Sequence, residues 1–272
     1  MARAVPILMY HSVAAEADPA YRAWTLHPEV FAAHVAYLRE RGYTPLTVTQ
    51  LARARAGAGP GLPDRPVVLT FDDGLADFYT GALPVLRREG WVATLYVVAG
   101  CVGGASCWLA REGAPERAMV DWAQLAEIVE SGVECGAHTQ THPHLGDLPL
   151  DAARGEIARS KAMLEERLGR PVTTFSYPHG HYTAAVRRLV RQAGYSSACA
   201  VHHAFNHPYD DPFALSRLVI DGQTGVAELA ALLRGEGVPA APYLRALARR
   251  CIEWRVGHRR AGRRRGAAAT GP

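Results

Sequence analysis

The feature that most restricts what this chain can fold into is an alternation: short β-branched and apolar runs recur along it, each followed by a segment with helical spacing. Ile7 to Tyr10 is a first apolar run, ending at His11. Pro28 then favours a helix start, and Phe31, Val35 and Leu38 recur at helical spacing until Gly42. Val67-Val68-Leu69-Thr70-Phe71 reads as a strand that stops at Asp72-Asp73-Gly74. Next come a helix over 82–89, a strand over 93–98, a helix over 122–130 and a strand over 133–137. A helix over 151–168 closed by Gly169, a strand over 173–177, a helix over 184–193 closed by Gly194 and a strand over 196–201 complete the series. Residues 52–66, rich in Ala, Gly, Pro and Arg, are expected as a surface loop. Apolar strands alternating with helices specify an α/β fold with a parallel sheet covered by helices, and this many units favours a barrel over an open sheet.

Length and composition agree. The 272 residues suffice for one large domain, and 49% hydrophobic with 21% charged residues is ordinary for a globular chain. No apolar run reaches the roughly 18 to 20 residues of a membrane-spanning helix. The start, Met1 to Pro6, has neither the apolar stretch nor the cleavage site of a signal peptide, so a cytoplasmic location is expected. Five widely spaced cysteines without a CxxC pair (Cys101, Cys107, Cys135, Cys199, Cys251) suggest buried thiols rather than a disulfide frame or a zinc ribbon. The net charge of +4 is uneven: residues 241–272 hold nine Arg and one Glu, whereas the first 240 residues hold 21 basic and 25 acidic groups. The expected division is therefore a catalytic domain over 1–240 and a basic tail over 241–272.

The residues best suited to catalysis stand where apolar strands end: His11, Asp72 with Asp73, His138, and Pro178-His179-Gly180. In a parallel barrel those ends share the face on which barrel enzymes build their sites. His138-Thr139-Gln140-Thr141-His142 sets two imidazoles four residues apart, which a helical turn would place on one side, about 6 Å apart at Cβ. Two imidazoles and a carboxylate make a partial shell for Zn²⁺ or a similar divalent ion, and Asp73 is the natural third ligand. Asp72 beside it is left to take a proton from a water whose pKa the ion lowers to roughly 7. Alone, an HxxxH among twelve histidines is weak evidence and an Asp-Asp-Gly is usually a turn. Together, each at the end of an apolar strand, they carry weight.

Thr70-Phe71-Asp72-Asp73-Gly74 followed by His138-Thr139-Gln140-Thr141-His142 resembles the polysaccharide deacetylases of the NodB-homology type, carbohydrate esterase family 4. The resemblance spans about residues 5–235. It includes Val5-Pro6-Ile7-Leu8-Met9-Tyr10-His11-Ser12-Val13, Trp122 with Leu125 ahead of Gly132-Val133-Glu134, and Phe175-Ser176-Tyr177-Pro178-His179-Gly180. It implies a deformed (β/α) barrel of about seven parallel strands, Asp72 as catalytic base, and Asp73, His138 and His142 as metal ligands. Zinc is the expected ion, with cobalt, nickel or iron as alternatives. The implied reaction is hydrolysis of an N-acetyl group, the oxyanion being stabilised by the ion and a backbone N–H that the motif position assigns to His179. Tyr177 and Pro178 beside it are candidate substrate contacts.

Two departures stand out. Many family members carry Arg in the third motif where this chain has Ser176, and many take the catalytic acid from a C-terminal Leu-x-His that Leu215-Ser216-Arg217-Leu218-Val219-Ile220 lacks. The Tyr-His-Ser-Val start looks like the poly-N-acetylglucosamine deacetylases, whose motif order is permuted and whose early His serves as acid, which makes His11 the candidate for protonating the leaving amine. A histidine bonding between strand ends is the plainer account of it. His144, His179, His181, His202 and His203 are weaker candidates, better suited to rim or loop positions. Trp108, Tyr177 and Tyr182 suit either a sugar-stacking wall or the core.

The expected substrate is an acetylated amino sugar in a bacterial glycan or glycan precursor. Hydrolysis of another C–N bond, in a formamide or cyclic ureide, and a non-catalytic glycan-binding relic of the fold are the alternatives. In the tail, Leu244, Leu247, Ala248, Cys251 and Trp254 form one helical stripe among arginines. Over 243–265 this suits either an anionic membrane surface or a solvated helix packed on the barrel. Nucleic acid is not an expected partner, because no motif accompanies the charge.

Overall fold

The computed structural model describes residues 4–238 except Glu112. The chain opens with β1 (Ile7–Tyr10), β2 (Ser12–Val13) and β3 (Thr25–Leu26), then α1 (Pro28–Glu40), β4 (Thr44–Leu46) and α2 (Val48–Arg55). There follow β5 (Pro66–Phe71), α3 (Leu83–Glu89), β6 (Thr94–Val97), α4 (Cys107–Arg111), α5 (Trp122–Glu130) and β7 (Glu134–Ala137). The series ends with α6 (Leu150–Leu168), β8 (Thr174–Ser176), α7 (Ala184–Gln192), β9 (Ser197–Cys199), β10 (Leu218–Val219) and α8 (Val226–Leu233).

Seven parallel strands follow one another in the order β10-β1-β5-β6-β7-β8-β9, forming a curled sheet with helices, and β4 pairs the start of β5. This is the deformed barrel the sequence implied. Its two edges are joined by a single stretch of chain: Leu215 bridges to Cys199 of β9, and three residues later Leu218 pairs with Leu8 of β1. Every strand-ending polar residue therefore lies at one end of the sheet.

Local signals set the boundaries. Thr47 and Gln50 form a capping box that starts α2, so the segment expected as loop from residue 52 is helical through Arg55; Leu51, fully buried, holds that helix to the sheet. Asp121 with Gln124 caps α5 in the same way, and left-handed Gly90 and Gly169 end α3 and α6. Strand β10 and helix α8 were not anticipated, because a two-residue strand has no periodicity to detect.

The core beneath the site is aromatic. Phe71, fully buried, lies 5.1 Å from Tyr10, 5.5 Å from Phe31 and 4.8 Å from Phe78 by ring centroid. Replacing it with alanine deletes the centre of this cluster directly before Asp72. The Phe71→Ala protein should lose about 3–5 kcal/mol in urea denaturation, and a loss below 1 kcal/mol would show that the cluster collapses onto the gap.

Cys101, Cys135 and Cys199 are buried as expected, whereas Cys107 is exposed, because it begins a helix at the surface. No helix among the described residues is long and apolar enough to cross a membrane. The basic stretch 241–272, with its expected amphipathic helix, lies outside the described residues.

Candidate active site

Strand β5 delivers two adjacent carboxylates and then turns abruptly. Gly74 N–H donates to Asp72 C=O at 3.1 Å across Asp73, whose φ is +77°. That is the rarer, positive-φ form of a γ-turn. The turn is held because Val98 N–H donates to Asp73 C=O and because Gly74 approaches Val97 so closely that a Cβ would meet its Cγ1 at 3.1 Å. Of the five non-glycine residues with positive φ among the described residues, four belong here: Asp73, Thr139, His142 and His179. Left-handed conformations of non-glycine residues are costly, and such strain concentrates at functional sites.

His138 and His142 follow β7. They are not on a helical turn, as their spacing suggested. Residues 138–142 form a loop in which Thr139 (φ +66°) and His142 (φ +59°) reverse the chain, and Thr139 Oγ1 accepts the His142 N–H at 3.0 Å. Glu156 of α6 braces the loop by accepting from Gln140 N–H at 2.9 Å, Thr141 N–H at 2.8 Å and the Thr141 hydroxyl at 3.0 Å. The result is convergence by a different route. His138 Nε2 stands 3.6 Å and His142 Nε2 3.5 Å from the same Asp73 oxygen, Oδ1. Ligands each about 2.1 Å from one tetrahedral ion are about 3.4 Å apart, so these atoms match the shell of a metal ion.

The chemistry of the donors fits as well. His138 Nδ1 is 2.8 Å from the Ser176 carbonyl, which can only accept, so the proton is on Nδ1 and the Nε2 lone pair faces Asp73. Burial pushes both imidazoles below their ordinary values, His142 well below, with His138, His179, His11 and His144 adding to the effect on His142. A neutral imidazole is the form that binds metal. Asp73 Oδ2 accepts the Tyr21 hydroxyl at 2.8 Å, and Arg117 lies over the Tyr21 ring at 4.7 Å. Removing that hydroxyl with Tyr21→Phe takes away one restraint on the carboxylate. Zinc affinity, read by competition with a chromogenic chelator, should fall 10–100-fold, and an unchanged affinity would remove Tyr21 from the support of the site.

Asp72 is 3% exposed and faces a fully buried cation that sequence reasoning missed. Arg217, in the stretch that joins the sheet edges, donates Nη1–H to Oδ1 and Nη2–H to Oδ2, each at 2.7 Å. Ser176 donates to Oδ2 at 3.3 Å and accepts from Arg217 Nη2 at 3.1 Å. The third-motif position thus holds Ser176, and the cation beside Asp72 comes instead from the stretch that joins the sheet edges. Burial alone raises the Asp72 carboxyl, but Arg217, then His138 and His11, outweigh it and hold the group down at about 2. The signal in the sequence was an arginine set directly before the apolar run Leu218 to Ile220.

A cavity of about 250 Å³ opens over these groups, lined by His11, Tyr21, Trp24, Asp72, Asp73, Trp108, His138, His142, His179 and Gly180 among others. His11 is half-buried in its wall, with its ring 4.8 Å from that of Trp24, an aromatic side chain 40% exposed at the mouth. Burial lowers the His11 pKa, opposed by Asp73 and Asp72, and its Nδ1 has no hydrogen-bond partner among the described residues. Trp108 stacks on His142 at 4.7 Å; His179 lies 4.7 Å from His142 and stacks on His144 at 3.7 Å. Tyr177 and Pro178 do not line the cavity: the Tyr177 hydroxyl is occupied by the Phe213 carbonyl and its ring stacks on Tyr182 at 4.6 Å, so of the three aromatic wall candidates only Trp108 reaches it.

The comparisons point the same way. The family profile described as Polysaccharide deacetylase matches residues 60–198, which include the carboxylate pair, both imidazoles and Ser176. YxkH of Bacillus subtilis (strain 168), named for that family, is 26% identical over 224 residues, covering 82% of this chain and 74% of that protein. The poly-beta-1,6-N-acetyl-D-glucosamine N-deacetylase of Escherichia coli (strain K12) is 32% identical over 136 residues, 48% of this chain and 20% of that enzyme. The solved structure of IcaB from Ammonifex degensii superposes with a TM-score of 0.71 at 28% identity, covering 84% of this chain and 96% of that one. With the fold, the motif residues and the profile in agreement, the chain belongs to the polysaccharide deacetylase family.

Proposed function

We propose that this protein hydrolyses the N-acetyl group of an N-acetylhexosamine unit in a bacterial glycan or glycan precursor, with a divalent ion, zinc before others, held by Asp73, His138 and His142. The observation that carries this is the shared Asp73 oxygen 3.5 and 3.6 Å from two neutral imidazoles, with a second, unligated carboxylate next to it in the chain. The activity for which the Escherichia coli relative is named supports the choice of sugar. When bound, a divalent ion supplies Lewis acidity: it acidifies water and polarises a carbonyl oxygen.

The residues of the chain do the rest. Of the roughly four lone-pair sites on the Asp72 carboxylate, Arg217 and Ser176 occupy one on Oδ1 and two on Oδ2, so the remaining site on Oδ1 is the one that accepts the proton of the attacking water. Fixing both oxygens keeps that lone pair aimed. His11, on the cavity wall, hands a proton to the departing amine. The backbone N–H of His179, in its left-handed turn at the cavity edge, is assigned to the developing oxyanion. Trp108 and Trp24 offer apolar walls for the acetyl methyl and the sugar ring.

The test measures acetate released from chito-oligosaccharides and from lipid-linked and nucleotide-linked N-acetyl sugars. It uses the protein as purified, after chelation, and after Zn²⁺ or Co²⁺ is restored. Release should fall at least 100-fold on chelation and return with metal, and His142→Ala should resist restoration. Formate in place of acetate would transfer the site to a different C–N bond, and sugar binding without turnover under any metal would leave a binding protein.

A further inference from the structure

Cys101 and Cys107, six positions apart in sequence, bring their Sγ atoms to 3.7 Å. Cys101 ends the turn Ala99–Cys101 that follows β6, and Cys107 begins α4. The connection between them is folded back on itself: Gly104 N–H donates to Cys101 C=O at 3.0 Å, left-handed Gly103 (φ +78°) allows the reversal, and Met119 N–H donates to Gly104 C=O at 3.0 Å. A disulfide requires the sulfurs about 2.05 Å apart. The remaining gap of under 2 Å is within the reach of side-chain torsions on two residues.

Each cysteine sits at the root of a segment that grips the loop carrying His138 and His142. On one side, Ala99 N–H donates to Thr139 C=O at 3.1 Å and Gly100 N–H to Gln140 C=O at 2.9 Å; a Cβ on Gly100 would lie 2.5 Å from that carbonyl oxygen, so the approach is backbone on backbone. On the other, Trp108 stacks on His142 at 4.7 Å and Arg111 Nη2 donates to Thr141 C=O at 3.1 Å. The two grips are connected along the chain through residues 101–107, and Cys101, Trp108 and Leu109 pack in one apolar cluster.

We propose that Cys101 and Cys107 form a reversible disulfide that staples together the two segments holding the 138–142 loop. With a small disulfide RSSR as the oxidant, the exposed Cys107 thiolate attacks one sulfur of RSSR, and the first RS⁻ leaves and takes up the proton that Cys107 lost. Cys101 then gives up its proton and attacks Cys107 Sγ, breaking the mixed disulfide and releasing the second RS⁻, which is protonated in turn. The two protein thiols are oxidised, RSSR is reduced to two RSH, and no other reactant is needed. The order follows from exposure. Cys107 is reached from solvent, whereas burial, and then the hydrogen bond with Cys107, hold the Cys101 thiol up at about 12 until its partner is activated beside it. Which form is populated depends on the redox poise around the protein. Because the readouts below are structural, the proposal stands or falls independently of the deacetylase activity.

The full chain is equilibrated in glutathione buffers of graded ratio, acid-quenched, alkylated and digested, and thermal unfolding and amide exchange are followed on the same samples. Cys101 and Cys107 should lose alkylation together, in a peptide two hydrogens lighter, while Cys135 and Cys199 stay reduced. Closing a seven-residue ring should raise Tm by roughly 5 °C. It should also slow exchange at Ala99, Gly100 and residues 138–142 by about tenfold. Neither change should occur in Cys107→Ser, whose exposed position tolerates the exchange. A lasting glutathione adduct on Cys107 with Cys101 still free would overturn the pairing. A closed ring with unchanged Tm and exchange would overturn the staple.

Discussion

Acetate release by the Asp72→Asn protein should be about 10³-fold slower than by the unaltered chain, with substrate binding largely retained. The substitution keeps shape and removes the carboxylate that, among the described residues, stands beside the Asp73, His138 and His142 cluster, and general-base assistance contributes about 10²- to 10⁴-fold. An amide cannot accept from both arms of the Arg217 fork, so its nitrogen will repel one of them and stability will also fall. Single-turnover rates are therefore to be normalised to the folded fraction from circular dichroism. Retention of more than a tenth of the rate would transfer the base role to another group, with His11 the first alternative on the cavity wall.

Arg217→Met carries the second large effect, chiefly on the fold. Asp72 is 3% exposed and Arg217 is fully buried, so deleting the cation leaves a carboxylate with no charge partner in the interior. Breaking a buried pair in this way costs about 3–5 kcal/mol, or roughly 10 °C in Tm for a chain of this size. The pH dependence should change sign. In the unaltered chain the Asp72 carboxyl is held at about 2, below its unfolded value near 4, so this pair's stabilisation is present above pH 4 and lost as pH falls toward 2. Without Arg217, burial dominates and the folded carboxyl rises above its unfolded value. The variant then loses stability as pH rises above 4. Urea denaturation at pH 4 and pH 7, taken as the difference between the two proteins, reads the reversal directly. The double variant Asp72→Asn with Arg217→Met should be less damaged than the sum of the single changes, since it strands no charge. Additive losses would mean that the two residues are not coupled.

Much of this was visible in the chain, and the reasons differ by residue. Asp72, Asp73, His11 and His138 could be placed together because each terminates an apolar run, and in a parallel sheet such ends meet whatever the loops do. His142 was paired with His138 on the wrong geometry: the loop reaches the same convergence through left-handed Thr139 and His142, which no spacing rule encodes. Arg217 and Tyr21 escaped for another reason. Arg217 belongs to a connection too short for strand periodicity, and Tyr21 to an irregular stretch between β2 and β3, so their positions are set by tertiary closure alone. Tyr177 and Pro178 share a motif with His179 but not its environment, because neighbouring residues at a strand end face different ways.

The stretch that joins the two edges of the sheet has a consequence for how the protein is made. Asp72 leaves the ribosome 145 residues before the arginine that neutralises it. Until Arg217 has emerged, a nascent chain that buries Asp72 must either protonate its carboxyl or hold it without the guanidinium fork, and both disfavour early collapse around β5. A product cut short before position 217 carries nearly every motif residue yet lacks the guanidinium that does most to hold the Asp72 carboxyl down.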